Sequence, residues 1–324
     1  MIKVGIVGYG NLGKGVCFAV DKASDMEYVG VFTRRDPSSL KLAVDFPVYS
    51  MNDLPSFKGK IDVLLLCGGS ATDLPSTTAE ILKDFNTVDS FDTHAKIPEY
   101  FAKLDKVAKE NGTLSAISIG WDPGFFSIMR MLSGAVLPDG EDYTFWGKGV
   151  SQGHSDAIRR IEGVKNAIQY TIPKDDALNS VRKGDRPSLT TREKHLRECF
   201  VAVCEGADKD KIEAEIKNMP NYFADYDTIV NFVSEEQVKE MQKKLSHGGF
   251  VFRSGKTTDE NSHLIEFSLK LDSNPEFTGS VLTAYGRAVA KLYKEGKTGC
   301  LTVFDIPLKY LSPYAEDYLR EHLL

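Results

Sequence analysis

A run of closely spaced glycines, set between a short apolar segment and a helical pattern, constrains this chain most. Residues 3–7 predict a strand, and the following Gly8-Tyr9-Gly10-Asn11-Leu12-Gly13 turns it into a helix. Gly8 permits the tight turn, Gly10 lets the backbone approach a pyrophosphate, and Gly13 allows the helix to pack closely on the strand. Amide groups at the helix N-terminus would face phosphates. The pattern therefore indicates a dinucleotide-binding fold, or one that has kept this turn without its cofactor.

The end of the second predicted strand, over residues 27–33, distinguishes between the two nicotinamide dinucleotides. An NAD enzyme usually has a carboxylate there, which holds the ribose 2′-hydroxyl. This chain has Arg34 and Arg35 after Thr33, and a guanidinium can bind a 2′-phosphate through two hydrogen bonds. The expected cofactor is therefore NADP+ or NADPH. The alternative is a solvated loop in which Asp36 partly neutralises the two arginines.

The bulk composition predicts a soluble globular protein of about two domains. The 324 residues are 42% hydrophobic and 27% charged, which predicts no long disordered stretch. The net charge of −6 argues against nucleic acid as a main partner, and no apolar run is long enough for a membrane span. The five cysteines include no CxxC pair, which predicts reduced thiols and a cytoplasmic protein. The six histidines show no paired spacing, so no metal site is expected.

Alternating strand and helix patterns continue to about residue 119. The nearly continuous apolar run 61–67 is typical of a parallel strand that is covered on both faces. The fold class is therefore α/β, with an N-terminal Rossmann-type doubly wound parallel sheet that binds its ligand at the carboxyl ends of the strands. Further strands are predicted over 85–89 and 114–119, and helices over 73–83 and 99–109.

Beyond residue 120 the pattern predicts an α+β domain with a mixed or antiparallel sheet. Residues 262–272 alternate strictly between apolar and polar side chains, so one face of this strand should be buried. Its other face would be either solvated or a dimer surface. We assign 1–119 to a dinucleotide-binding domain and 120–276 to a substrate-binding and dimerisation domain. The helical pattern from 277 onwards would pack back on the first domain, with Ser312-Pro313 beginning a last short helix.

Three polar clusters follow predicted strands, at residues 89–94, 120–124 and 146–156. Asp92 and Asp122 belong to the first two, and paired carboxylates near the nicotinamide would attract an ammonium group. Each also has a structural interpretation, since Asp92 could cap a helix and Asp122 could initiate a turn before Pro123. No general base is evident, because Asp122, His154 and bulk water all remain candidates.

Structural interpretations also fit three other polar groups. His154-Ser155-Asp156 fits the N-cap region of a helix, and His247-Gly248-Gly249 fits a tight turn. Asn274-Pro275 fits a helix cap followed by a proline in the first turn. The chain contains no GxSxG motif, so a serine nucleophile is not expected.

The sequence resembles the meso-diaminopimelate dehydrogenase family over nearly its whole length. The resemblance implies an NADP-dependent, reversible oxidative deamination of meso-2,6-diaminopimelate at its D-centre, which gives L-2-amino-6-oxopimelate and ammonia. It also implies a homodimer that serves lysine and cell-wall precursor metabolism. The motifs that carry it are VGYGNLG (7–13), TRR (33–35), SATD (70–73), GWDPG (120–124), FWGKGVSQGHSDA (145–157), HGG at 247 and LKLDSNPEF (269–277).

The resemblance further implies roles for individual residues. Asp92 and Asp122 would surround the D-configured amine, and neither is assigned as a general base. The substrate pocket would be formed by Trp146, Val150, Ser151, Gln152 and Gly153, with Thr171, Arg197, His247 and Asn274 at the L-configured end. The cofactor would be lined by Gly8, Gly10, Asn11, Leu12, Gly13, Thr33, Arg34, Arg35, Cys67, Gly68, Gly69, Ser70, Ser90, Phe91, Asp92, Trp121, Asp122, Pro123 and Gly124.

Two other functions compete with this one. An NADPH-dependent reductase of related two-domain architecture, such as one acting on dihydrodipicolinate, would need no pair of carboxylates for a substrate ammonium. A non-catalytic NADP-binding sensor would use its second domain for partner contacts. Turnover of an amino acid distinguishes the dehydrogenase from both.

Overall fold

A computed structural model describes residues 1–324, which form two compact units. Unit 1 comprises Met1–Ile128 and Pro275–Leu324, and unit 2 comprises Met129–Asn274. The boundaries expected from the sequence lie at residues 119 and 276, so unit 1 extends further at both. Unit 1 is therefore built from two segments that are distant in the sequence.

The chain folds into fourteen strands and eleven α-helices, which are divided between the two units. The strands are β1 Ile2–Val7, β2 Met26–Thr33, β3 Val48–Ser50, β4 Val63–Leu66, β5 Thr87–Asp89, β6 Leu114–Ala116, β7 Gly140–Trp146, β8 Gly149–Val150, β9 Val164–Pro173, β10 His195–Val203, β11 Asp227–Phe232, β12 His247–Lys256, β13 Ser262–Leu271 and β14 Gly299–Leu301. The helices are α1 Asn11–Asp21, α2 Asp73–Leu82, α3 Ile97–Asn111, α4 Phe125–Val136, α5 Gln152–Arg159, α6 Asp175–Arg182, α7 Thr191–Lys194, α8 Lys209–Lys217, α9 Glu235–Met241, α10 Asn274–Lys294 and α11 Glu316–Leu323.

Unit 1 is built on a seven-stranded sheet in the order β14-β6-β5-β4-β1-β2-β3. Every neighbouring pair of strands is parallel. The central strand β4 is buried along its whole length, as its continuous apolar sequence predicts for a strand covered on both faces. The structure confirms the predicted Rossmann-type sheet, whose strand ends carry the loops of the candidate site.

The C-terminal helix α10 packs on this sheet and on α1. Its apolar residues Val281, Leu282 and Tyr285 share a buried cluster with residues of β1 and β4. A Cβ atom on Gly279 would lie 2.5 Å from the backbone carbonyl carbon of Gly15. The two helices therefore cross at a point where neither has room for a side chain.

Unit 2 contains two sheets. The four-stranded sheet, in the order β11-β10-β9-β8, is mixed, because β10 pairs parallel with β11 and antiparallel with β9. The three-stranded sheet β13-β12-β7 is antiparallel. Both agree with the predicted mixed or antiparallel architecture. In β13 the side chains of Ile265, Phe267 and Leu269 are half-buried and the residues between them are exposed, which confirms the predicted alternation.

Three of the predicted helix starts are wrong. Helix α5 begins at Gln152, so His154-Ser155-Asp156 lie inside it, and its N-cap residue is Ser151. Asp92 caps no helix, because the short helical turn His94–Lys96 follows Thr93. Helix α11 begins at Glu316, since the Ser312 hydroxyl accepts a hydrogen bond from the Tyr314 amide and stabilises a local turn there.

Membrane-spanning and metal-binding features are not found in the fold. None of the helices combines the length and the hydropathy that crossing a bilayer requires. No three His, Cys, Asp or Glu side chains are grouped so that they could hold a metal ion.

Candidate active site

The glycine-rich turn between β1 and α1 leaves its backbone open to a ligand. Gly8 has a φ of 93°, and a Cβ on Gly13 would lie only 2.2 Å from the Gly8 carbonyl oxygen. Gly10 precedes α1 and has no atom within 4 Å of the position of a Cβ. Asn11 and Leu12 form the first turn of the helix, and no side chain caps it. The turn can therefore receive an anion on free amide groups at a helix N-terminus.

Arg34 and Arg35, which follow β2, differ in their partners. The Arg35 guanidinium donates a hydrogen bond of 2.6 Å to the Tyr9 carbonyl in the glycine-rich turn. The Arg34 side chain is 70% exposed and pairs with the Asp73 carboxylate at 2.8 Å. Asp36 does not neutralise them, because its carboxylate accepts hydrogen bonds from the amide and hydroxyl of Ser38. Arg34 is thus an accessible cation beside the turn.

A small cavity of about 60 Å³ adjoins the Arg34–Asp73 pair. Its walls include the apolar side chains of Phe32 and Leu74 and the backbone of Gly68. An apolar wall next to an exposed guanidinium suits a flat base that carries a phosphorylated ribose. Asp73 also accepts a hydrogen bond from the Gly69 amide, which fixes the turn after β4.

A buried carboxylate, Asp89, joins the loops that follow β5 and β6. It accepts hydrogen bonds from the Phe91 amide at 3.0 Å, the Ser118 amide at 3.3 Å and the Tyr100 hydroxyl at 2.8 Å. Burial raises the pKa of Asp89 to about 6, although these donors oppose the shift. No sequence pattern marked Asp89 and Tyr100 as partners, because their contact joins two different elements, β5 and α3.

The two candidate amine-binding carboxylates lie on these loops. Asp92 is exposed, and its amide donates to the Ser70 hydroxyl at 2.8 Å. Asp122 lies in a tight loop, because a Cβ on Gly124 would lie 1.7 Å from the Gly120 carbonyl oxygen. Trp121 in the same loop is buried against the edge of Phe126. The remaining predicted cofactor residues on these strand ends and loops are Cys67, Ser90 and Pro123.

In unit 2, glycines bring three of the predicted pocket residues together. A Cβ on Gly147 would lie 2.1 Å from the Thr171 carbonyl oxygen, and one on Gly149 would lie 2.3 Å from Cγ of His247. The turn after Trp146 therefore packs its backbone against β9 and against an imidazole ring. Only glycine permits approaches this close.

His247-Gly248-Gly249 is the start of β12, so the predicted tight turn is wrong. A Cβ on Gly248 would lie 2.1 Å from the Leu269 carbonyl oxygen, and one on Gly249 would lie 2.2 Å from that of Phe145. The two glycines therefore allow close approach of β13 and β7 on either side, and not a reversal of the chain.

Arg197 lies opposite Thr171 across the β9–β10 ladder and donates a hydrogen bond to its hydroxyl. Its guanidinium lies 3.9 Å from the centroid of the Tyr226 ring, and its side-chain Nε has no hydrogen-bond partner. Burial lowers the pKa of Arg197, yet a guanidinium stays charged in proteins. A buried cation with an unused donor at Nε is suited to a carboxylate. Tyr226 gave no signal in the sequence.

His154 lies on α5 beside this arginine. Burial and the nearby charge of Arg197 lower its pKa to about 4. Its Nδ1 lies 2.6 Å from the Ser151 hydroxyl, and its ring meets those of Tyr222 and Phe223 edge-on. The imidazole is therefore neutral at physiological pH and only a weak base.

The remaining predicted substrate residues occupy the ends of elements in unit 2. Val150 is buried in β8, whereas Gln152 and Gly153 are exposed on the first turn of α5. Asn274 begins α10, and its amide donates to the Leu245 carbonyl at 2.8 Å.

Sequence and structure comparisons agree on one family. The model of the diaminopimelic acid dehydrogenase C-terminal domain matches residues 120–273. The meso-diaminopimelate D-dehydrogenase of Ureibacillus thermosphaericus is 57% identical over 323 residues, which are 100% of this chain and 99% of that protein.

Two solved structures extend this similarity to the fold. The DAP dehydrogenase of Corynebacterium glutamicum in complex with DAP aligns with a TM-score of 0.93 and 41% identity, covering 100% of this chain and 99% of that one. An engineered D-amino acid dehydrogenase bound to NADP+ aligns with a TM-score of 0.88 and 40% identity, over 100% and 99% of the two chains. The family resemblance predicted from the sequence is confirmed, and the chain belongs to the meso-diaminopimelate D-dehydrogenase family.

Proposed function

We propose that this protein is an NADP-dependent dehydrogenase that deaminates meso-2,6-diaminopimelate at its D-configured centre. The products are L-2-amino-6-oxopimelate and ammonia, and the reaction is reversible. The observation that carries this proposal is the buried Arg197, whose Nε has no hydrogen-bond partner, in a chain of this family. A sensor would have no need for an arginine buried in this way, and a reductase would have no need for the paired carboxylates of Asp92 and Asp122.

The residues of the glycine-rich turn fit a nicotinamide cofactor. Gly10 leaves the helix N-terminus open, and the exposed Arg34 has only the Asp73 carboxylate as an ionic partner. A 2′-phosphate would compete with that single carboxylate for the guanidinium, which favours NADP+ over NAD+. NADP+ is the cofactor in the structure of the engineered D-amino acid dehydrogenase. When bound, the nicotinamide accepts a hydride from the D-centre carbon, and water then converts the resulting imine into the ketone and ammonia.

The protein is proposed to bind both ends of the substrate molecule. Arg197 and Thr171 would bind the distal carboxylate, together with His247 and Asn274. Asp92 and Asp122 would bind the amine of the D-centre. A substrate held at its distal end can present only one of its two centres to the cofactor, which accounts for selectivity between stereoisomers. The pocket would be completed by Trp146, Val150, Ser151, Gln152 and Gly153.

The substrate ammonium must lose a proton before its lone pair can assist the departure of hydride. The lowered pKa of His154 makes this residue a poor acceptor for that proton. Asp122 and bulk water remain as acceptors. In either case the fraction of free amine rises with pH, so the forward reaction should be faster under alkaline conditions.

We also propose that the enzyme is a cytoplasmic homodimer. Met131, Leu132 and Val136 on α4 are at least half exposed in the single chain, which favours their burial against a second copy.

The cytoplasmic location is supported by the cysteines. All five are free, as a reducing compartment requires.

The test is NADPH formation from NADP+ with purified protein and, separately, the meso, L,L and D,D isomers of diaminopimelate. Turnover of the meso isomer, with little or none of the L,L isomer, supports both the reaction and the distal anchoring. Tight binding of NADP+ without turnover of any isomer would contradict the proposal and favour the sensor.

A further inference from the structure

A buried histidine outside the predicted pocket contacts Trp146 in two ways. The Trp146 amide donates a hydrogen bond of 2.9 Å to Nε2 of His195. The His195 ring also stacks on the indole, with the centroids 5.4 Å apart and the planes inclined by 25°. His195 is only 1% exposed. One imidazole therefore contacts both the backbone and the side chain of a proposed pocket residue.

The hydrogen bond determines the protonation state of this ring. A backbone amide can only donate, so Nε2 must present its lone pair and the single proton must lie on Nδ1. Burial and the charge of Arg197 lower the pKa of His195 to about 3. The imidazole is therefore a neutral acceptor throughout the pH range in which the enzyme would work.

The position of His195 links the two parts of the proposed substrate pocket. It is the first residue of β10, and Arg197 lies two residues further along the same strand. Side chains at i and i+2 project from the same face of a strand, one pleat apart. Strand β10 thus holds both the proposed anchor for the distal carboxylate and the residue that contacts Trp146.

We propose that His195 is a positioning residue, which fixes Trp146 as one wall of the substrate pocket at a set distance from Arg197. This inference rests on the proposed function, because it takes Trp146 and Arg197 as substrate-binding residues. His195 contributes through the hydrogen bond and the stack, and it takes no part in proton transfer. It should therefore affect selectivity for a long substrate anchored at both ends more than selectivity for a short D-amino acid.

A matched pair of amide substitutions tests the hydrogen bond. His195→Gln places an amide oxygen close to the position of Nε2, whereas His195→Asn is one methylene shorter and cannot reach the Trp146 amide. We expect His195→Asn to raise KM for meso-diaminopimelate by roughly five- to tenfold, with a smaller change in kcat. In His195→Gln, KM should lie much closer to the wild-type value. Oxidation of D-alanine, which has no distal carboxylate, should change by less than about twofold in both variants.

Two further measurements separate positioning from general damage to the protein. The affinity for NADP+, which is proposed to bind to unit 1, should be unchanged in both variants and shows that unit 1 is folded. Tryptophan emission should shift to longer wavelength in both variants, because both lose the imidazole that stacks on Trp146. The shift and the quenching by acrylamide should be larger in His195→Asn, which also loses the hydrogen bond to the Trp146 amide. Trp121 is unchanged and contributes the same background.

The proposal is overturned if His195→Asn keeps the wild-type KM and emission, or if KM for meso-diaminopimelate rises by the same factor in both variants. The emission and quenching comparison needs no substrate, so it tests the contact independently of the reaction. If the wild-type protein fails to oxidise meso-diaminopimelate, the proposed function fails. An altered emission in His195→Asn would still support the positioning of Trp146 by His195.

Discussion

Arg287 on α10 makes two hydrogen bonds to the carboxylate of Asp25, at 2.6 Å from Nε to Oδ2 and 2.8 Å from Nη2 to Oδ1. The Arg287 side chain is only 7% exposed, and its third nitrogen, Nη1, donates a hydrogen bond to the Leu311 carbonyl. Asp25 precedes β2, whereas Arg287 belongs to the C-terminal segment. The pair therefore joins the two sequence segments that make up unit 1.

The first prediction concerns this ion pair. Asp25→Asn should lower the free energy of unfolding by about 2–3 kcal/mol, because it leaves a buried guanidinium without its counter-charge. The matched control is Glu80→Gln, since Glu80 pairs with Lys83 on the exposed face of α2 and should contribute less than about 0.5 kcal/mol. Urea unfolding of both variants measures the difference. Equal, small losses would contradict the special role of the buried pair.

The second prediction concerns the contact between Gly149 and His247. A Cβ at residue 149 would lie 2.3 Å from the imidazole, so Gly149→Ala must displace His247 or the turn itself. We expect KM for meso-diaminopimelate to rise by about tenfold or more, with the affinity for NADP+ unchanged. Gly134→Ala in α4 is the control, because nothing lies within 4 Å of a Cβ there. A normal KM in Gly149→Ala would exclude His247 from substrate binding.

The third prediction concerns cofactor choice. Arg34→Ala removes an exposed cation whose only ionic partner is Asp73, and it should weaken NADP+ binding by roughly 10- to 100-fold through loss of a charged hydrogen bond. Binding of NAD+ should hardly change, because NAD+ lacks the 2′-phosphate. Arg320→Ala, on the exposed helix α11, controls for the loss of positive charge. Titration calorimetry measures the affinity of each variant for both dinucleotides. If Arg34→Ala weakened the binding of NADP+ and NAD+ equally, phosphate recognition by Arg34 would be refuted.

The fourth prediction concerns pH. The pKa of His154 is lowered in the folded protein to about 4, so between that value and its ordinary pKa of 6.5 the unfolded chain binds more protons. The stability from this residue is therefore complete above pH 6.5 and is lost as the pH falls towards 4. Between pH 6.5 and 5 the loss should be about 1.5 kcal/mol for this one group.

His154→Asn tests this dependence, because asparagine does not titrate. The free energy of unfolding of wild type and variant is measured at several pH values. The advantage of the wild type over the variant should be smaller at pH 5 than at pH 7. Their difference isolates His154 from other groups, including Asp89, whose raised pKa acts in the opposite direction. A constant difference across this range would mean that His154 keeps its ordinary pKa.

The parts of the fold that the sequence predicted well depend on local patterns. The glycine-rich turn and the buried strand β4 are contiguous in the sequence, and their spacing reflects backbone geometry directly. The family resemblance named Arg197 and Thr171, and the ladder pairs these two residues directly. Glycines were harder to interpret, since Gly248 and Gly249 allow strands to approach each other, a requirement set by residues that are distant in the chain.

Most of the contacts that were missed join positions far apart in the sequence. The partner of Arg34 proved to be Asp73, 39 residues away, and not the adjacent Asp36. His195 contacts the Trp146 amide across 49 residues, and no periodic pattern marks such a pair. Side chains of this kind have ordinary local surroundings, so only the folded arrangement shows what they bind.

The division of unit 1 into two segments has a consequence for how the protein is made. During synthesis the ribosome completes all of unit 2 before α10 and β14 emerge, and until then β6 has no neighbour on its outer side. An unpaired strand edge is prone to join other chains. A nascent chain that stalls before residue 275 would therefore expose this edge, and such incomplete chains would be prone to aggregation.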